Sequence, residues 1–140
     1  MESTGGNWKK VFADEFDGDA VDWTKWYLPA WGGKNAINHV RVRDGKLHIE
    51  CDWDKDHKRL ETASMRTRQA YPFGYFEARL KVTKNSGWWA AFWLYGVSNA
   101  NPLVDGFEID IFEDYYTRSD KPEGPHRGIL DHNLHVYIGS

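Results

Sequence analysis

The run Gly106-Phe107-Glu108-Ile109-Asp110-Ile111-Phe112-Glu113 decides how this chain is read. Phe and Ile at this density favour a half-buried β-strand, yet three acids interrupt them. An ionised carboxylate is costly to take out of water, so the acids imply a wet cleft along one side of the strand. Alternation puts Phe107, Ile109 and Ile111 on one face and Glu108 and Asp110 on the other. Glu113 has the wrong parity for that polar face. One extra residue, a β-bulge around Ile111-Phe112, restores it, and bulges are frequent beside active sites.

Outward from this run the pattern stays β. Val40 and Val42 alternate with Arg41 and Arg43; Asp44-Gly45 marks a tight turn; Leu47, Ile49 and Cys51 then alternate with His48 and Glu50. The same alternation predicts strands over Phe76–Val82 and Asn133–Ile138, and a strand over 87–95. Roughly eight short strands separated by Gly, Asn, Asp and Pro read as a sandwich of two antiparallel sheets. A helical turn is expected only at Asp22–Trp26, and polar loops over 97–106 and 117–128.

The bulk numbers exclude several function classes. The 140 residues make one domain at most. A net charge of −3 gives no basic field for nucleic acid, and it mildly disfavours a polysulfated substrate. No apolar run is long enough to span a membrane, and no leader is recognisable. Cys51 stands alone, so no intrachain disulfide forms, and the thiol is expected to pack as a small hydrophobe. Eight Trp, seven Tyr and seven Phe are the oddity. Rings that stack on sugar faces and rings that fill a β core both account for such a surplus.

The segment Glu108-Ile109-Asp110-Ile111-Phe112-Glu113, following Gly87-Trp88-Trp89-Ala90-Ala91-Phe92-Trp93-Leu94, resembles the signature of glycoside hydrolase family 16. Three further segments keep the family's order: Phe12-Ala13-Asp14-Glu15-Phe16, Val40 to Leu47, and Phe73-Gly74-Tyr75-Phe76-Glu77-Ala78-Arg79. The resemblance implies an all-β jelly roll of concanavalin type and retaining endo-hydrolysis of β-linked glucans or galactans. It makes Glu108 the nucleophile, Glu113 the general acid and base, and Asp110 the carboxylate between them that orients the nucleophile by sharing a proton. The two glutamates stand roughly 13 Å apart along the bulged strand. Long side chains leaning inward would approach the ~5–5.5 Å carboxyl separation used in double displacement. The inserted residue in the triad fits laminarinase-like and galactanase-like members better than strict lichenases. The expected substrate is therefore a β-1,3 or mixed β-1,3/1,4-glucan, with agar- or carrageenan-type galactans as the alternative and a non-turnover carbohydrate-binding remnant as the rival of another class.

The family usually continues for several strands beyond the equivalent of Ser140, so 1–140 reads as the N-terminal portion of one catalytic domain, incomplete at its C-terminus. Export to an extracellular or periplasmic location is expected by resemblance, as is a monomer with a polysaccharide or oligosaccharide as its partner. No cofactor is required, no metal ligand set is assigned, and a structural calcium is left open.

Four other side chains and Arg66 complete the expected site. On the strand 87–95, Trp89, Ala91, Trp93 and Tyr95 share a face that leaves a small residue between two indoles, a shape that seats a pyranose; Trp89 and Trp93 are assigned to the cleft. Trp88, Ala90, Phe92 and Leu94 are assigned to the core. Asn133 and His135 share the polar parity of their strand, and His135 is expected to reach Asp110, Glu113 or the sugar. His132 and His135, three apart on a strand, point to opposite faces, which argues against a zinc pair. Arg66 and Arg68 are expected to point outward, Arg66 as a distal sugar contact. Many relatives carry Arg where Ser64 stands here. Trp31 and Asn35 are placed on a loop at the cleft rim, and Glu77, Arg79 and Lys81 on a solvated, charge-paired sheet face.

Overall fold

The computed structural model describes residues 8–29, 37–82, 89–97, 105–115 and 130–138. They divide between two compact units, Met1–Gly74 and Tyr75–Ser140. Apart from a 3-10 turn at Ile37–His39, every regular element among the described residues is a strand, and every pairing is antiparallel. The all-β expectation holds.

The first unit carries β1 (Trp26–Tyr27), β2 (Val40–Arg43), β3 (Lys46–Ile49), β4 (Asp52–Asp54), β5 (Arg59–Glu61) and β6 (Arg66–Thr67). β2 and β3 form the expected hairpin, with Arg43 opposite Lys46 across a two-residue loop. Both loop residues take positive φ, 52° at Asp44 and 64° at Gly45, which is the type I′ geometry that matches strand twist. Val40 and Val42 point into the core with Val21, and Phe16, Trp23, Trp26, Leu28, Leu47, Ala63 and Met65 pack around them. The turn expected at Asp22–Trp26 is present. The backbone N–H groups of Lys25 and Trp26 both donate to the Asp22 carbonyl, while Asp22 Oδ1 accepts from the backbone and hydroxyl of Thr24. Asp14, from the Phe12–Phe16 segment, accepts the Trp26 indole N–H at 2.8 Å, and Phe12 meets the same indole edge-on at 5.3 Å. That segment therefore anchors a core tryptophan. Cys51 is half-buried, with Sγ 3.2 Å from Thr62 Oγ1.

The second unit holds β7 (Trp89–Val97), β8 (Asp105–Tyr115) and β9 (Asp131–Ile138) in the order β7-β8-β9. β8 is central, so its backbone is paired on both sides. Gly96 faces Phe107 across the ladder, and the Phe107 ring lies where a Cβ on Gly96 would sit. No larger residue fits there without moving the ring. Phe112 is buried on the face away from the acids, where Phe107, Ile109, Leu134 and Val136 are more open.

One predicted strand is absent. Residues 76–82 enter no ladder, although Phe76 and Val82 are half-buried and 77–81 are exposed. Alternation alone cannot make a strand when no neighbour supplies hydrogen-bond partners. Glu77, Arg79 and Lys81 are solvated as expected, but not as part of a sheet face. Trp31, Asn35, Trp88 and the loop 117–128 lie outside the described residues, as does most of 97–106.

Candidate active site

Register fixes the site. On the β7 side, Trp93 faces Asp110 and Phe92 faces Phe112; one step on β7 spans two on β8. On the β9 side, Asn133 faces Asp110 and Asp131 faces Glu113, so two steps span three. The β7 register leaves Ile111 as the surplus residue, and the β9 register agrees in placing one extra residue between Asp110 and Glu113. The bulge restores Glu113 to the face of Glu108 and Asp110.

That face also receives Trp89, Ala91, Trp93 and Tyr95 from β7, and Asp131, Asn133 and His135 from β9. Ala91 stands directly opposite Glu113, and its small side chain leaves room beside the acid. Glu113 is nearly buried, and each of its oxygens accepts a donor: Trp89 Nε1–H gives to Oε1 at 2.8 Å and Asn133 Nδ2–H to Oε2 at 2.7 Å. Two such charge-assisted bonds from different strands fix the plane of the carboxylate. Trp89 is otherwise 68% exposed, so its ring remains open to a ligand. Trp93 is half-buried and meets Tyr95 edge-on at 5.8 Å.

Asp110 is the most enclosed of the acids, at 3% exposure. Burial raises its pKa above the ordinary value of 3.8, and the charges of Glu113 and Glu108 push it the same way; attraction to His135 opposes them. His135 Nε2 lies 3.2 Å from Asp110 Oδ2. At this reach the imidazole is the partner of the buried Oδ2, opposing the rise both by its charge and by a hydrogen bond. Asp110 thus favours its protonated form more than an exposed aspartate does, which suits a group that shares a proton with a neighbour.

Spacing separates His132 from His135 but assigns His132 no partner. It projects from the opposite face of β9, and its Nδ1 donates to the carbonyl of Ile111, the bulge residue. A bulge strands a backbone group outside the ladder, and this imidazole satisfies it. His132 and His135 serve different faces, as their spacing implied.

Of the expected site residues, the second unit brings Glu108, Asp110, Glu113, Trp89, Trp93, Asn133 and His135 onto one sheet face. Trp89 and Asn133 differ from expectation in what they touch, being partners of the third acid as well as part of a sugar platform. Arg66 belongs to the first unit, where it sits on β6 opposite Tyr27 and is half-buried. Arg68, beside it, is exposed. It donates from Nε to the Trp23 carbonyl at 2.6 Å and holds its guanidinium over the Tyr27 ring. Among the described residues, Glu108, Asp110 and His135 alone bring three metal-ligating side chains together, each offering an atom within 4.8 Å of the others.

Comparison with known proteins meets this geometry from the other side. The family model described as glycosyl hydrolases family 16 matches residues 24–136. Beta-porphyranase E of Zobellia galactanivorans is 31% identical over 95% of this chain and 51% of its own length. A beta-glucanase of Rhodothermus marinus is 29% identical over 76% of this chain and 44% of its own. Beta-porphyranase D of Zobellia galactanivorans is 30% identical over 73% of this chain and 29% of its own. The chain thus spans about half the length of the first of these relatives, and less of the others. No solved structure matches it.

Proposed function

We propose a function from one premise: the chain belongs to glycosyl hydrolase family 16, and its bulged acid strand carries that family's chemistry. The reaction is retaining endo-hydrolysis of a β-linked polysaccharide. The observation that carries this reading is the register shift at Ile111, which puts Glu108, Asp110 and Glu113 on one face.

Glu108 attacks the anomeric carbon as its carboxylate while Glu113 gives a proton to the departing glycosidic oxygen. This leaves a glycosyl ester on Glu108. Glu113, now ionised, takes a proton from water as that water attacks the same carbon and releases Glu108. Asp110 shares its proton with Glu108 and limits the negative charge crowded at the strand's centre. Trp89 and Asn133 hold the plane of Glu113. When Glu113 carries its proton, both oxygens keep acceptor sites, so Trp89 and Asn133 can stay in place while the O–H is offered to the glycosidic oxygen. Trp93 and Tyr95 extend the aromatic floor beside Asp110 and Glu108.

The substrate is a β-1,3 or mixed β-1,3/1,4-glucan in the leading reading, favoured by the inserted residue in the triad and by the glucanase relative. A β-galactan is the second reading, supported by the porphyranase aligned over 95% of the chain. The same reading places the protein outside the cell or in the periplasm. A reducing-sugar assay on laminarin, lichenan, agarose and porphyran distinguishes the two substrates. Proton NMR of the first product is expected to show the β-anomer before mutarotation. Activity that survives Glu108→Ala removes the nucleophile assignment, and oligosaccharide affinity without hydrolysis assigns a binding role instead.

A further inference from the structure

We propose that His132 is a positioning residue for Glu113: from the sheet face away from the acids, it holds the bulge backbone in the arrangement that aims the general acid. The inference rests on the reading of Glu113 as acid and base, and extends it to a residue outside the cleft. Three observations converge. The β8–β9 ladder pairs Asp110 with Asn133 and Glu113 with Asp131, and skips Ile111 and Phe112 on one strand and His132 on the other. His132 is therefore the residue that stands across from the bulge. Its Nδ1 donates to the carbonyl of Ile111, a backbone group that the bulge takes out of the ladder. On the β7 side Phe112 faces Phe92, while Ile111 has no counterpart in the ladder.

The contact selects which residue is the surplus one. The β9 ladder treats Ile111 and Phe112 alike, because neither has a partner there. Were Phe112 the extra residue, the peptide planes between Asp110 and Glu113 would tilt differently. Glu113 would then leave the same ladder position at another angle. The bond from His132 to the Ile111 carbonyl favours the observed arrangement, in which Phe112 is buried and Glu113 meets Trp89 Nε1 at 2.8 Å and Asn133 Nδ2 at 2.7 Å. A general acid must hold its proton within hydrogen-bond reach of the leaving oxygen, and a displacement of ~1 Å costs up to ~10²-fold. A carbonyl only accepts, so Nδ1 carries a hydrogen, as it does both in one neutral tautomer and in the imidazolium. The contact therefore does not depend on the charge of the ring. It does depend on a donor placed close to the backbone, which asparagine also offers and phenylalanine does not.

Two measurements on the full chain test this. Both use His132→Phe, which keeps a ring and removes the donor, and His132→Asn, which keeps an N–H near the position of Nδ1. His132 is exposed, so neither change opens a core. The first measurement needs no activity. The Trp89 indole N–H is identified in a proton–nitrogen correlation spectrum as the signal missing from Trp89→Phe. It is expected to move in His132→Phe toward its position in Glu113→Ala, and to stay near the wild-type position in His132→Asn. The second measurement is kinetic. His132→Phe is expected to slow polysaccharide hydrolysis by ~10–10²-fold, while an aryl β-glycoside whose leaving group needs no protonation is largely spared in the presence of azide. His132→Asn is expected to recover most of the polysaccharide rate. An indole signal unmoved by His132→Phe overturns the proposal, as does one that His132→Asn moves just as far. Equal losses on the two substrates also overturn it, because a misaimed acid spares the substrate that needs no proton. If the wild type hydrolyses nothing, the acid–base reading fails, and the indole signal still decides whether His132 holds Glu113.

Discussion

Inserting one alanine between Phe112 and Glu113 perturbs the site more sharply than replacing any acid, because it changes geometry while leaving all three carboxylates in the chain. One surplus residue already lies between Asp110, opposite Asn133, and Glu113, opposite Asp131. A second puts side chains from Glu113 onward on the other face. Glu113 then loses Trp89 Nε1 and Asn133 Nδ2, two hydrogen bonds to a charged acceptor that contribute ~1.5–3 kcal/mol each. That loss reaches into the ~5–15 kcal/mol stability of a whole domain. Deleting Ile111 instead removes the bulge but keeps Phe112 opposite Phe92 and Glu113 opposite Ala91 and Asp131, so the acids stay on one face. The assay pairs a β-glucan with an aryl β-glycoside whose leaving group needs no protonation, and uses Ile111→Ala as the control that keeps the residue count. The insertion is expected to cost ~10²–10⁴-fold on the polysaccharide, the usual contribution of a general acid, while the aryl glycoside is largely spared in the presence of azide. The deletion is expected to cost less than the insertion. A folded insertion variant that cuts polysaccharide like the wild type would refute the reasoning. So would a deletion variant that loses as much as the insertion.

Trp89→Phe keeps the stacking ring and removes only the N–H to Glu113. It is expected to slow polysaccharide hydrolysis about tenfold, the low end for a charged hydrogen bond because the indole is largely solvated, and to leave the melting temperature nearly unchanged. Equal losses on polysaccharide and aryl glycoside would point to stacking alone. Val42→Ala, in the core of the first unit, is expected to destabilise by ~1.5–3 kcal/mol in urea unfolding. Acid should weaken the first unit in a defined window. Asp54 is held below its ordinary 3.8 by the His57 backbone and side chain, and Glu61 below its ordinary 4.5 by Arg59 and His39. A carboxyl with a depressed folded pKa contributes stability that is complete above its ordinary value and lost as pH falls through the folded one. Thermal melts should therefore be flat from neutrality down to those ordinary values and decline below them, and Asp54→Asn with Glu61→Gln should flatten the decline.

The strands most legible in the sequence were those whose partner is adjacent in the chain. Asp44-Gly45 could only be a tight turn, and Val40 and Val42 then had to face inward together. Glu113 was legible for a different reason. Its wrong parity is a conflict between a polar side chain and an apolar face, and a bulge is the cheapest local resolution. Residues 76–82 misled because alternation reports which side chains want burial, not whether a neighbouring strand exists to pair with. Arg66 was placed by its parity against Ala63 and Met65, but its position opposite Tyr27 depends on a strand distant in the sequence. The hydrogen-bond partners of Trp89, Asn133 and His132 could not be read. Each depends on a cross-strand position that only register specifies, and a slip of one residue would have sent every one of them elsewhere.

Register also accounts for how the site is divided among strands. β8 supplies only acceptors at its reactive positions, and a strand of acids cannot hold its own carboxylates in place. The donors come from its neighbours: Trp89 from β7 and Asn133 from β9 hold Glu113, His135 approaches Asp110, and His132 holds the bulge carbonyl from behind. The arrangement accepts a local penalty, since Asp131 stands directly opposite Glu113 and like charges across a ladder repel. Two donors on Glu113 and a small Ala91 on its other side offset that repulsion without covering the cleft. A central position for β8 is therefore a requirement of the chemistry. An edge strand with the same sequence would keep the acids but lose one of the two sets of groups that aim them.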